Sequence, residues 1–443
     1  MKTSAVKGLF AAAAAVLFTA TPLVGRSVTI DVDQIKQRYP WNGLVDIDYT
    51  ITLGQDEAFG VDDSLEVLMI DRAITPAVTN RAITFLQAPL PLTAGAHRIT
   101  WDANADDVTN RTDNAEFVVR LRHYSEAYMV IDVSVGAGDI GIYTVDFLNG
   151  TPDGGFNVDE YKGDKIVLRR IHPGSYMAGS PENEANRQPT ATLEKQHRVA
   201  ISKPFYIGLF EITQQQYLNV MGSNPSQYKD GDKDGKNGQY RPVEMVSWDT
   251  VRGGSWPNGK PGSDSFMDKL ISKCKSKDPS TGEYTVKVGG FDLPTEFQWE
   301  YACRAGTTNA FNITYPFDNA SPSDQEAQLK LLGRYTDNQS EGQGGITTAH
   351  TIVGSYRSNA WGLYDMHGNV LELCLDWVIK DPMTLNPKQY KDPPGAASGS
   401  YRLTKGGSWG NVVGGCRSAY RDSYRTPSAA DGYVGFRLIR TLP

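Results

Sequence analysis

Cysteines are the first residues whose chemistry can be weighed, because thiolates bind soft metals and thiols form disulfides. The chain has four of them, Cys274, Cys303, Cys374 and Cys416, and none belongs to a C-x-x-C pair. A zinc knuckle and a thioredoxin-like motif are therefore excluded. One disulfide is compatible with the sequence if the protein is exported.

An acidic stretch offers a second kind of metal chemistry. Asp230, Asp232 and Asp234 precede Gly235 in the run D-G-D-K-D-G, which matches the first half of an EF-hand-type loop. The twelfth position is Arg241, where such a loop requires a bidentate Glu. A solvated acidic loop is favoured, and weak calcium binding is the alternative.

Two other patterns do not predict the chemistry that they suggest at first sight. The sequence GGSWG at 406–410 matches G-x-S-x-G, but the following NVVGG cannot form the helix of a nucleophile elbow. Ser408 is therefore not expected to be a hydrolase nucleophile. The six histidines show no paired spacing for zinc or iron.

Two short helices are predicted by the same capping pattern. Thr213 stands three residues before Gln216, and Thr295 stands three residues before Gln298. In each pair the Thr can accept from an exposed amide while the Gln reaches back to the cap. The rest of this half of the chain is rich in Gly and Asn with few periodic runs, so an irregular α+β domain is expected.

The N-terminal part alternates apolar and polar residues in short runs separated by turn residues, which predicts strands. We expect a β-sandwich over residues 26–146 that resembles the immunoglobulin-like modules of secreted bacterial proteins and acts as a spacer or adhesion module. Residues 147–165 are rich in Gly and Asp and are predicted to be a linker. The second domain is expected over residues 166–443.

The first residues and the overall charge indicate export and exclude one class of partner. Lys2 and Lys7 precede an apolar run from Leu9 to Ala20, so residues 1–25 are predicted to be a signal peptide. No other segment has the roughly 20 apolar residues of a membrane span. The net charge of −7 without a basic cluster argues against nucleic-acid binding.

Six segments of the second domain resemble, in order, the blocks of formylglycine-generating enzymes, the sulfatase-modifying factor family. They are PGSYMAGS (173–180), FYIGLFEITQQQY (205–217), PVEMVSWD (242–249), LPTEFQWEYACRAG (293–306), NAWGLYDMHGNVLELCLDWV (359–378) and GGSW…CRSAYR…GFRLIR (406–440). The resemblance implies a C-type-lectin-like fold with little regular secondary structure. It also implies oxidation of a sulfatase cysteine to formylglycine by oxygen, with copper(I) held by two thiolates.

The copper site implied by the resemblance is incomplete in this sequence. The family places its two cysteines third and eighth after the Ser of the GGS block, which here is Ser408. The third position is Asn411 and the eighth is Cys416. The aromatic pair around the family's Glu is replaced by Leu371 and Leu373. Ser408 and Cys416 remain candidate active-site residues, but one thiolate is a poor ligand set for copper(I).

A disulfide is the alternative role for Cys416. In the family, the Cys of the EYxCRxG block usually pairs with a Cys in the C-terminal region. The corresponding residues here are Cys303 and Cys416. Cys274 and Cys374 are expected to be buried thiols.

The resemblance also implies a calcium site before and within the block that contains the family's Glu. Its ligands would be Asp365, Gly368, Val370 and Glu372, through two carboxylates and two backbone carbonyls. Hard oxygen ligands suit Ca²⁺. A plain turn is the alternative, and the family's other calcium site is expected to be lost because Arg334 stands where its Asn would be.

The C-terminal loops have an unusual composition. The loops comprise seventeen positions, at 410–415, 422–425 and 428–434. None of these positions is Lys, Glu, Gln, Met or Trp. This layout resembles the variable regions of formylglycine-enzyme-like proteins that retroelements diversify. Small polar residues combined with aromatic residues on a rigid base are also typical of a paratope.

Two functions of different class follow from these patterns. As a binding module, the domain would use Asn411, Tyr424, Arg425 and Tyr433 to bind a protein or glycan. As an enzyme, it would oxidise a sulfatase cysteine through Cys416 and copper(I). The incomplete copper site favours the first.

Overall fold

We analysed a computed structural model of the chain. It describes residues 28–38, 42–55, 57–59, 63–71, 76–86, 90–108, 115–123, 125–138, 141–188, 193–229, 238–313, 321–338, 349–379, 390–421 and 424–442. The predicted signal peptide lies outside the described residues, as do Asp230, Asp232 and Asp234. None of the helices in this described part has the length and apolar character needed to cross a bilayer.

The N-terminal region is all β and consists of two antiparallel three-stranded sheets. Its strands are β1 (Val28–Gln37), β2 (Leu44–Leu53), β3 (Asp63–Asp71), β4 (Val78–Ala82), β5 (Gly95–Asp102) and β6 (Ala115–His123). The strand orders are β1-β2-β5 and β4-β3-β6. Both sheets bury one face in a shared core that includes Tyr49, Val67 and Trp101. The expected alternation is confirmed in β2, where every second residue from Val45 to Ile51 is buried.

The large domain is organised around an eight-stranded sheet. Its strands are β7 (Tyr128–Asp132), β8 (Tyr143–Leu148), β9 (Lys165–Ile171), β12 (Phe205–Gly208), β13 (Cys274–Lys277), β14 (Tyr284–Lys287), β15 (Phe291–Asp292) and β20 (Ile439–Thr441). They lie in the order β14-β13-β8-β7-β9-β12-β20-β15. A separate hairpin is formed by β10 (Gly174–Ala178) and β11 (His197–Ile201).

The predicted domain boundary is wrong. Strand β7 pairs with β9, and β8 pairs with β13, so both belong to the large sheet and not to the N-terminal region. Met129, Ile131 and Tyr143 are completely buried in the core of the large domain. The proposed linker 147–165 contains the end of β8 and a helical turn. The change of fold therefore falls between β6 and β7.

The described residues of the large domain form six short α-helices. They are α1 (Glu160–Gly163), α2 (Gln214–Met221), α3 (Trp248–Val251), α4 (Phe266–Lys273), α5 (Glu296–Arg304) and α6 (Pro322–Leu332). The predicted capping boxes are both confirmed: Thr213 accepts from the backbone N of Gln216, and Thr295 accepts from that of Gln298. Ser247 forms a third capping box at α3 with Thr250.

A second, four-stranded sheet carries the C-terminal loops. It consists of β16 (Leu371–Trp377), β17 (Arg402–Lys405), β18 (Tyr424–Arg425) and β19 (Val434–Gly435) in the order β18-β17-β16-β19. The loops at 406–421 and 426–433 connect these strands. The sheet therefore holds both ends of each C-terminal loop that is predicted to form a binding surface.

A pair of fragments tests the corrected boundary. A fragment 125–443 keeps the whole eight-stranded sheet and should unfold cooperatively. A fragment 149–443 lacks β7 and β8, which uncovers the edge of β9 and opens the core around Tyr143, so it should aggregate. Size-exclusion chromatography and thermal melts followed by circular dichroism compare the two. Equal solubility and melting temperature would contradict a domain boundary between β6 and β7.

Candidate functional site

The candidate site is held by a buried ion pair between β16 and the last segment of the chain. Nε and Nη2 of Arg437 donate to the two carboxylate oxygens of Glu372, each over 2.6 Å. Nε1 of Trp299 on α5 donates to the same carboxylate over 2.6 Å. The guanidinium also donates to the backbone carbonyls of Gly208 and Tyr364. Five segments of the chain therefore meet at this ion pair.

Two further carboxyl groups lie in this buried region. Oδ2 of Asp365 accepts from the backbone N of Gly354 over 2.6 Å, and its Oδ1 has no hydrogen-bond partner among the described residues. Burial raises the pKa of Asp365 to about 6. Burial, with Asp365 and Glu372 nearby, raises the pKa of Glu211 well above its ordinary value. The protein thus limits the number of charges that it buries here.

These groups do not fit a calcium ion as they are placed. Both oxygens of Glu372 are bonded to Arg437, which already supplies the positive charge. Within the described ranges, no three acidic, His or Cys side chains are grouped so that they could hold a metal. Arg334, at the expected position of the lost second site, is buried and donates to the carbonyls of Ala349 and Asn338. Calcium binding stays a prediction from the resemblance, without support from this geometry.

Ser408, Asn411 and Cys416, which correspond to the family's GGS serine and its two cysteine positions, lie close together. Oδ1 of Asn411 accepts from both the backbone N and Oγ of Ser408, over 3.0 and 2.7 Å. Cys416 is fully buried beside them, and its thiol faces the backbone N–H of Ser408. The alignment of these positions with the family motif is therefore consistent with the fold. Asn411 uses its amide oxygen on Ser408 and does not present it to a ligand.

The Cys303–Cys416 disulfide predicted from the resemblance is not formed. All four cysteines are free and buried. Sγ of Cys303 lies 3.7 Å from Nε2 of His367 and 3.5 Å from Oγ of Ser418, whereas Nδ1 of His367 lies 2.8 Å from the carbonyl of Cys416. The imidazole thus contacts both cysteine residues. Burial lowers the pKa of His367 to about 4, so the ring is neutral.

Copper(I) does not fit the thiol site either. Burial raises the pKa of Cys416 to about 12, so the group is a protonated thiol at neutral pH. Its neighbour Asn411 supplies an amide oxygen that is already hydrogen-bonded, and copper(I) prefers thiolates. The cluster therefore lacks the second sulfur that copper(I) ligation requires, and its one thiol would have to lose a proton to bind the metal.

The loops above this cluster form an exposed aromatic surface. We call Tyr401, Val412, Tyr424, Arg425 and Tyr433 the C-terminal surface. Its four uncharged members are among nine large hydrophobic side chains that are exposed in the described part of the chain, with Val412 at 64%. Four of these nine side chains therefore lie in the last 43 residues of a 443-residue chain.

Fixed contacts hold this surface in place. Arg425 forms an ion pair of 2.7 Å with Asp431, whose other oxygen accepts from the backbone N of Tyr433. The ring of Tyr433 stacks on Trp409 with centroids 4.6 Å apart. Two predicted ligand-binding residues, Arg425 and Tyr433, are thus joined through Asp431.

Sequence reasoning missed the aromatic partners of these residues. Tyr401 packs against Tyr424 with ring centroids 5.0 Å apart, because β18 pairs with β17 next to it. Tyr228 meets the edge of Trp409 at 5.5 Å. Trp409 belongs to the GGSW block and could have been found there. Tyr228 is distant in sequence and has no local signal.

Comparison with known proteins places this arrangement in a family. Residues 160–442 match the FGE-sulfatase family, described as the sulfatase-modifying factor enzyme 1-like domain. The chain belongs to this family. Strands β7 and β8 precede the matched segment, so residues outside the family match complete its sheet.

The chain is similar to proteins that carry different functional names. The chain is 28% identical to chaperone protein LppX of Paenibacillus barcinonensis over 254 residues, 54% of this chain and 80% of that protein. It is 32% identical to the formylglycine-generating enzyme of Thermomonospora curvata over 212 residues, 44% of this chain and 64% of the enzyme. Treponema denticola variable protein 1 is a solved structure with 26% identity and a TM-score of 0.46, covering 63% of this chain and 96% of that one.

The thiol state can be counted directly. Protein secreted into an oxidising medium should titrate with four thiols per chain after denaturation without reductant, and with almost none while folded, because all four cysteines are free and buried. Reaction with Ellman's reagent gives both counts. A Cys274→Ser variant serves as the calibration and should give three. Two thiols in the denatured wild type would establish a disulfide instead.

The ion pair at Glu372 should dominate local stability. Replacing Arg437 with Met leaves the carboxylate buried without its partner and should lower the free energy of unfolding by about 3–5 kcal/mol. Urea unfolding followed by circular dichroism measures the change. The matched control is Lys330→Met, which breaks the exposed Lys330–Glu326 pair and should cost less than about 1 kcal/mol. Similar losses for both variants would refute the special role of Arg437.

Proposed function

We propose that this protein is an exported binding protein that recognises a protein or glycan partner through its C-terminal surface. The observation that carries the proposal is the exposure of Val412, Tyr424 and Tyr433 within one short C-terminal segment, which also contains the buried thiol of Cys416. Exposed apolar groups cost little singly, but a group of them on one surface is typical of an interaction site. Aromatic side chains with a neighbouring Arg are the residues that most often dominate binding energy.

The base beneath these loops is rigid, which supports the proposal. Arg417 forms ion pairs with Glu194 and Glu184, and Arg421 forms a two-pronged pair with Glu296, all at 2.7 Å. These arginines and glutamates are almost completely buried. A partner would therefore meet a surface that loses little conformational freedom on binding, which favours affinity.

Oxidase activity, the alternative, has less support. The thiol of Cys416 is buried and protonated, and its neighbour in the family's second cysteine position is Asn411. The formylglycine-generating enzymes among the relatives carry that activity in their name, whereas the Paenibacillus relative is named a chaperone protein. A binding role requires no change at the closed cluster, whereas oxidase chemistry requires a second thiolate.

Export and a spacer role for the N-terminal region complete the proposal. Lys2 and Lys7 before the apolar run Leu9–Ala20 support secretion to the periplasm, the cell surface or the medium. The all-β N-terminal region would act as an immunoglobulin-like spacer or adhesion module. Diversification of the C-terminal loops would then alter the partner without altering the scaffold.

Surface variants test the binding function. Labelled full-length protein is applied to glycan and peptide arrays, together with a triple variant Val412→Ser, Tyr424→Ser and Tyr433→Ser. Loss of apolar and aromatic contact should reduce the wild-type signal at least about tenfold, with the melting temperature nearly unchanged. Leu218→Ser, which alters an exposed leucine on α2, is the control and should bind as the wild type does.

The competing function is assayed on the same preparation. Copper(I) loading followed by incubation with a CxPxR peptide under oxygen should give neither tight copper uptake nor an aldehyde. Aldehyde formation would overturn the proposal in favour of the oxidase. Array binding that the triple variant retains in full would overturn the assignment of the C-terminal surface.

A further inference from the structure

A cavity of about 880 Å³ lies at one end of the eight-stranded sheet. Its walls come from β15, from β20, from the loop 256–261 and from residues 392–394. None of the residues that line it belongs to the C-terminal surface or to the Ser408–Asn411–Cys416 cluster. The volume is within the range of sites for small organic ligands.

The indole of Trp256 lines this cavity and carries a donor that has no partner among the described residues. Nε1 of Trp256 is buried and has no hydrogen-bond partner among the described residues. The residue is held in place because its carbonyl accepts from Nε1 of Trp377 over 3.3 Å and the guanidinium of Arg252 lies 5.7 Å from its ring. An indole N–H can only donate, and leaving it unsatisfied is costly.

A second donor comes from the first turn of α5. Oε1 of Gln298 accepts from the backbone N and Oγ1 of Thr295 in the capping box, over 3.0 and 3.2 Å. Nε2 of Gln298 makes no hydrogen bond to the described residues. Gln298 is also the one residue of α5 that is not buried, and it lines the cavity. The cap thus fixes the orientation of an amide whose donor is free.

The residues that line the cavity also supply a hydrogen-bond acceptor and carry balanced charges. Asp268 uses one carboxylate oxygen to accept from the backbone N of Asp264 over 3.2 Å, which leaves the other oxygen for a ligand. Asp292 is neutralised by Arg252 in a pair of 3.1 Å. The remaining charged residues of the lining balance, two of each sign: Lys203, Lys260, Asp268 and Asp392.

We propose that this cavity binds a neutral saccharide. A sugar ring offers an apolar face to the indole and hydroxyl groups that both accept and donate, which matches the donors Trp256 Nε1 and Gln298 Nε2 and the acceptor Asp268. A purely apolar ligand would leave these groups unsatisfied. An anionic ligand would meet no net positive charge. The inference is independent of the proposed function of the C-terminal surface.

Saturation-transfer NMR on the full chain tests the site with maltose, cellobiose, lactose and chitobiose, and with a sulfated disaccharide and a proline-rich peptide as alternatives. At least one neutral disaccharide should receive saturation, and the sulfated disaccharide and the peptide should receive none. Affinity is then measured by calorimetry for two conservative variants. Trp256→Phe keeps an aromatic face but removes the donor, and Gln298→Glu keeps the capping acceptor but removes Nε2.

Each variant should weaken binding about 3- to 10-fold, the effect of one lost hydrogen bond. Trp361→Ala, a half-buried tryptophan outside this cavity, should bind as the wild type does. The two cavity variants alter different elements, so misfolding of one leaves the other to decide. The proposal is overturned by the absence of saturation of every neutral disaccharide, by preferential binding of the sulfated disaccharide or the peptide, or by unchanged affinity in both variants.

Discussion

The structure of the large domain depends on the placement of one guanidinium, that of Arg437, in a site without solvent. A buried arginine must donate all of its N–H groups, and this one donates to Glu372 and to backbone carbonyls of two other segments. Nε1 of Trp299 donates a further hydrogen bond to the same carboxylate. Because a buried charge without its partner is very costly, these segments have only one acceptable arrangement. The position of the last strand follows, and with it the positions of the C-terminal loops.

Buried arginines that bind carboxylates and backbone carbonyls recur throughout the domain. They explain how a chain with so little regular structure folds uniquely. Among the described residues, six of the twelve largest fully buried side chains are arginines. Arg304 pairs with Glu300 and also donates to the carbonyl of Gly179, and Arg252 donates to the carbonyls of Gly253 and Gly259. Loop carbonyls that lack a helix or sheet partner are thereby satisfied.

What the sequence predicts well is local. The capping boxes at Thr213 and Thr295 involve residues three apart, and the alternation in β2 depends on one strand only. What it predicts poorly is pairing over distance. Strand β7 is a short, continuously buried apolar run, and β8 alternates at its start as a sandwich strand does, so only their partners β9 and β13 reveal their domain. The family resemblance makes Glu372 a calcium ligand, whereas the structure pairs its carboxylate with Arg437, which lies 65 residues further along the chain. The Cys303–Cys416 disulfide is not formed for a similar reason, since the sequence carries no information that His367 lies between the Cys303 thiol and the backbone carbonyl of Cys416.

Helix α5 connects the features that matter for function. Glu296 holds Arg421 under the C-terminal loops, Trp299 contacts Glu372, and Gln298 faces the cavity. Every other residue of this nine-residue helix is buried, so its position is fixed on all remaining sides. A hydrogen bond from Gln298 to a ligand would therefore not reorient the helix, and the cavity and the C-terminal surface should bind their partners without influencing each other. Two sites on a scaffold fixed by buried ion pairs can change their specificity separately, because neither set of exposed side chains contributes to the ion pairs that hold the fold.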